Sequence, residues 1–146
     1  MWIAKNNDLI ILAKDTREEL EQALKFMVYD TIEETDETYE LYNGEYLTQD
    51  EIEEKEQERI GNLQITKRVF MLALQQLGIS YTQLKELLAT NEQAQMEWEL
   101  CVELQRKNPF LDIMASEMGV SPKMLDYIFQ KANGEDVDVP TESEAN

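Results

Sequence analysis

The chain has 146 residues, which suits one domain or a compact domain with a small appendage. Its net charge of −18, from 31 acids against 13 bases, disfavours nucleic acid and anionic lipid as non-specific partners and favours a basic protein surface. With one cysteine and no histidine, there is no internal disulfide framework, no usual general base near neutral pH and none of the commonest metal ligand.

Residues 1–14 lack a basic flank, a long apolar segment and a small-residue cleavage site, and no apolar run approaches a membrane span. The protein is therefore expected in the cytoplasm of the cell that makes it, or in an assembly such as a virion.

Trp2 to Ala4 and Leu9 to Ala13 read as two short strands joined at Lys5-Asn6-Asn7-Asp8, because Asn and Asp tolerate tight-turn backbone. Thr16 and Glu19 have capping-box spacing, and the stripe Leu20, Ala23, Leu24 and Met27 predicts a helix ending near Val28. Val28 to Glu34 reads as a third strand. Asn43-Gly44 between two β-prone runs predicts a type I′ hairpin over Tyr39 to Leu47. Thr48 and Glu51 form another capping box, opening a polar helix through about Asn62, with a kink or break plausible at Gly61.

From Thr66 onward one pattern occurs twice. Gly78-Ile79-Ser80 is followed by Leu84, Leu87 and Leu88, and Gly119-Val120-Ser121 by Leu125, Ile128 and Phe129, 41 residues later at each position. Each unit reads as helix, glycine-closed turn and serine-capped helix. Between them, Asn91 is expected to cap a helix through Lys107 carrying Ala94, Trp98, Cys101, Val102 and Leu104. Asn108-Pro109 and Ser121-Pro122 are helix starts.

The expected class is α+β. It comprises a small antiparallel sheet with one helix over 1–47, an exposed acidic linker helix over 48–65, an all-α helix-turn-helix-like domain over 66–132 and a disordered acidic tail over 133–146.

The helix-turn-helix pattern suggests DNA reading, but it chiefly records how two short helices pack. Residues 66–132 hold seven bases and eight acids, and neither second helix offers a basic cluster. Direct nucleic-acid binding is therefore not expected. From Asp30 to Glu58 there are thirteen acids and one base, which suits either a nucleic-acid mimic or a solvated face that discourages edge pairing.

No glycine-rich phosphate loop, metal-ligand spacing or carboxylate pair in an apolar setting is present, so no catalytic, metal or cofactor site is expected. Asp112 is expected on an exposed helix face and Cys101 on a core stripe. The best candidates for partner contact are Tyr39, Leu41 and Tyr46, with Glu33, Glu34, Asp36 and Glu37 beside them.

Tyr39-Glu40-Leu41-Tyr42-Asn43-Gly44-Glu45-Tyr46-Leu47, the helix ending Glu58-Arg59-Ile60, then Leu63, Thr66-Lys67-Arg68 and Phe70 together resemble a family of small phage and prophage proteins. Arg106-Lys107-Asn108-Pro109, Leu125-Asp126 and Phe129 are similar to its closing segment. That family is encoded among tail and tail-fibre genes of Gram-positive bacteria. The resemblance implies an accessory or minor structural, tail-associated role exercised through protein–protein contacts. An alternative is an acidic inhibitor of a host defence protein, of the anti-CRISPR or anti-restriction type.

Overall fold

The computed structural model describes residues 1–141. In order, its elements are β1 (Trp2–Asn6), β2 (Leu9–Lys14), α1 (Arg17–Ala23), β3 (Thr31–Glu34), β4 (Tyr39–Tyr42), β5 (Glu45–Thr48) and α2 (Gln49–Gly61). There follow β6 (Gln64–Thr66), α3 (Lys67–Gln76), α4 (Tyr81–Ala89), α5 (Glu92–Leu100), β7 (Glu103–Gln105), α6 (Pro109–Glu117) and α7 (Pro122–Ala132). The class is α+β, with a small antiparallel N-terminal sheet and a helical C-terminal region. The chain divides into two compact units, Met1–Glu56 and Gln57 onward, so the helix expected as a linker contributes to both. No helix among the described residues is long and apolar enough to cross a membrane.

In the first unit the antiparallel sheet has strand order β2-β1-β3. Asn7 and Asp8 take left-handed backbone (φ 53° and 65°), as a tight turn requires. Ala4 is buried against Leu20 and Leu24, with Trp2, Ile11, Leu12 and Ile32 packed around them. The Thr16 hydroxyl accepts the Glu19 N–H at 3.2 Å and so caps α1. The helix stops at Ala23, about one turn earlier than expected, because Leu20 and Leu24 already cover the sheet and Met27 lies off it. The third strand is correspondingly only the second half of the run expected. Asn43 and Gly44 have φ of 47° and 86°, the left-handed pair of a type I′ turn. Strand β5 lies against β2 and buries Leu47. The Tyr42 phenol donates to Glu56 of α2, and Lys55 pairs with Glu45 at 3.2 Å, holding α2 to the hairpin.

The second unit consists of two β-α-α halves, β6-α3-α4 and β7-α6-α7. Gly78 and Gly119 both close a helix with positive φ (86° and 76°). The next N–H in each case reaches back five residues, Ile79 to the Leu74 carbonyl at 2.9 Å and Val120 to the Ala115 carbonyl at 2.8 Å. Ser80 and Ser121 then cap the second helices. Phe70, Leu74, Leu84 and Leu88 are buried, and so are Leu111, Ala115, Leu125 and Phe129, each 41 positions later. The strands β6 and β7, not foreseen from the sequence, pair antiparallel with Ile65 opposite Leu104. Helix α3 packs on α7 and α4 on α6. Antiparallel pairing and reciprocal packing relate the halves by an approximate two-fold axis through the β6–β7 ladder.

Two expectations for this unit are corrected. The helix from Asn91 ends at Leu100, not Lys107: Cys101 turns to extended backbone, Val102 is exposed, and Leu104 enters the core from a strand. The ladder bonds to β6 replace the helical bonds lost there. The tail was expected to be disordered from Asn133, but Asn133 caps α7 and the Glu135 carboxylate accepts two bonds from Arg59, at 2.7 and 3.0 Å. Residues 142–146 of that tail lie outside the described residues.

Candidate interaction surfaces

In the β4–β5 hairpin Leu41 faces Tyr46 and Tyr39 faces Thr48, so pleating places Tyr39, Leu41 and Tyr46 on one face. Leu41 is 63% exposed and the two tyrosines are half-buried. The acids expected beside them disperse. Glu37 accepts the Tyr39 hydroxyl at 3.0 Å. Glu33 pairs with Lys5 at 2.7 Å. Glu34 lies opposite Trp2 and points to the other face of the sheet from Glu33. Asp36 is exposed in the connection between β3 and β4.

Two protonation equilibria respond to this arrangement. The hydrogen bond to Glu33 holds the Lys5 ammonium above its ordinary value of 10.5. Partial burial, reinforced by the bond to Glu37, pushes the Tyr39 phenol above its ordinary 10.0.

The most exposed apolar surface of the first unit was not singled out from the sequence. Because α1 ends early, Phe26, Met27, Val28 and Tyr29 fall in the connection to β3, with Phe26 94% and Val28 79% exposed. Asp30 fixes the far end of this segment. Its N–H donates to the Lys5 carbonyl and its carboxylate accepts the Asn7 N–H, both at 2.7 Å. The segment therefore ends at the β1–β2 turn, from which Leu9, 70% exposed, begins β2. The readable signal is that four consecutive apolar residues fit neither a one-faced helix nor a half-buried strand.

In the second unit, α7 occupies the position of a recognition helix, and its one carboxylate is tied to the core. Arg106, the buried charge of the core, donates to Asp126 at 2.7 Å, to Asp112 at 3.1 and 3.3 Å and to the Pro122 carbonyl at 3.2 Å. Asp112 is exposed on α6, as expected. Tyr127 is half-buried against α3. Lys67 donates to the Trp98 carbonyl at 2.8 Å, near the C-terminus of α5, where the helix dipole favours a cation. The Cys101 thiol packs beside the core as a small apolar group. Among the described residues, no three or more His, Cys, Asp or Glu side chains cluster in a way that could hold a metal ion.

Comparison of the chain with protein-family models, with curated proteins and with solved structures gave no match.

Proposed function

We propose that this chain is a non-catalytic binding protein that acts through protein–protein contacts, and that its first unit meets a partner with a basic surface. The observation carrying this reading is the exposed run Phe26–Tyr29, with Leu9 also exposed, on a unit holding five bases and seventeen acids. Exposed apolar side chains rimmed by charge are typical of interaction sites, and the sign of the rim selects an oppositely charged partner. Leu41 and its two tyrosines extend the apolar surface available on the same unit. The resemblance to tail-associated phage proteins supplies a setting, a minor component of a particle.

The test is photo-crosslinking from position 26 of the full chain during particle production, with position 86 of the second unit as the control. The reading predicts a basic partner captured from position 26 only, lost in a Phe26→Ser/Val28→Ser variant and present in purified particles. Capture from position 86 alone would overturn it. The acidic-mimic alternative predicts instead a partner displaced by duplex DNA or RNA and released steeply by salt.

A further inference from the structure

The approximate two-fold of the second unit creates two equivalent grooves, and only one of them is flanked by a third helix. The first lies between α4 and α6, lined by Leu87, Phe110, Ile113 and Met114 among others. Shifting by 41 positions gives Ile128, Val69, Leu72 and Ala73, and these line the second groove, between α3 and α7. Helix α5, inserted between the halves, forms a third wall on the first groove through Gln93, Ala94 and Glu97. No third helix lines the second among the described residues. Its cleft measures about 260 Å³, and Val69 and Leu72 on its wall are 37% and 45% exposed.

Charge distinguishes the two grooves further. Glu117 and Thr90 of the first correspond to Gln76 and Lys131 of the second, so an acid has become neutral and a neutral residue has become a base. Helices α3 and α7 together carry Lys67, Arg68, Lys123 and Lys131 against one acid, Asp126, which is bound to Arg106. Lys67 is turned to the Trp98 carbonyl, and Lys131 is the charged side chain that lines the second groove, in a chain of net charge −18.

We infer that the α3–α7 groove is a docking site for an acidic amphipathic helix of a partner protein. That helix would sit as α5 sits on the equivalent groove. Helix α5 supplies the template: it presents Gln93, Ala94 and Glu97 to the first groove, packs Trp98 against Phe70, and has Glu92, Glu97 and Glu99 as its only charges. Apolar anchors at helical spacing in an apolar groove are an established mode of recognition, and Lys131 in its lining favours an acidic helix. The apolar walls favour such a helix over a nucleic-acid backbone, which needs clustered cations instead. This site lies within the second unit and is independent of the surface proposed for the first.

The probe is a fluorescein-labelled, hydrocarbon-stapled peptide of residues 91–101 with Cys101→Ser, titrated against the full chain by anisotropy. Saturable binding should weaken about tenfold or more in Leu72→Glu and in Lys131→Glu, and be unchanged in Ile113→Glu on the first groove. Amide shifts of the labelled full chain should move at Leu72, Leu77 and Tyr127. Both groove substitutions are at exposed positions, so circular dichroism should show the fold retained. The inference is overturned if the peptide fails to bind, binds Leu72→Glu equally well, or responds to Ile113→Glu instead. It is also overturned if a second copy of the chain occupies the groove, seen as a dimer that Leu72→Glu abolishes, or if a DNA duplex binds there in place of the peptide.

Discussion

Arg106 is the residue whose replacement best tests the account of the second unit. Its guanidinium has two carboxylate partners in different surroundings: the Asp126 side chain is 19% exposed and the Asp112 side chain 45%. Removing one member of a buried pair costs about 3–5 kcal/mol because the other charge is left unpaired, whereas an exposed pair contributes about 0.2–1 kcal/mol. Arg106→Met keeps much of the side-chain volume and should cost about 3 kcal/mol, the lower end of that range because Asp126 retains some solvent. In double-mutant cycles the Arg106–Asp126 coupling should exceed the Arg106–Asp112 coupling, the latter staying below about 1 kcal/mol. Each unit holds one tryptophan, Trp2 and Trp98, so urea unfolding followed by fluorescence in a Trp2→Phe background reports on the second unit alone. Equal couplings, or an Arg106→Met variant as stable as the parent, would refute the reasoning.

The two-fold relation predicts matched responses from the two halves. Gly78→Ala and Gly119→Ala place a Cβ in open space but on left-handed backbone, so each should cost about 1–2 kcal/mol in the same urea assay. Ser80→Ala and Ser121→Ala should each cost about 1 kcal/mol, and Gln83→Ala should destabilise the first half as well, since the Gln83 amide oxygen accepts the Ser80 backbone N–H at 2.7 Å. Lys5 and Tyr39 are both raised in the fold, so their contributions are intact below their ordinary values of 10.5 and 10.0 and fade as pH rises through the higher folded values. The thermal stability of the first unit, read by Trp2, should therefore fall as pH rises above about 10, and less so in Glu33→Gln.

Local chemistry was legible in the sequence wherever a backbone need is met by its own neighbours. The Asn43-Gly44 turn, the glycine stops at 78 and 119, and the caps at Thr16, Thr66, Ser80, Asn91, Asn108 and Ser121 all occur where residue type alone placed them. What escaped depends on a partner distant in the chain. Strands β6 and β7 have three residues each, too few to show a period, and form only because Ile65 meets Leu104. Without that pairing in view, Val102 and Leu104 read as further turns of α5. The exposure of Phe26 likewise depends on where α1 stops, which the sheet decides. The hairpin trio Tyr39, Leu41 and Tyr46 could be placed on one face because the turn fixed the register, and the same alternation puts the neighbours Glu33 and Glu34 on opposite faces.

Duplication also explains why a helix-turn-helix pattern coexists with so little charge suited to DNA. In a free helix-turn-helix the second helix must offer its outer face to a groove. Here α4 packs on α6 and α7 on α3, so each second helix spends part of that face on the opposite half. The first-half helix, α4, is further flanked by α5, and on α7 the one carboxylate, Asp126, is bound to Arg106. Between α3 and α7 this leaves an accessible seam, largely apolar and with Lys131 in its lining. Such a seam matches the ridge of another helix better than the edge of a base pair, because apolar walls offer no partners to base donors and acceptors.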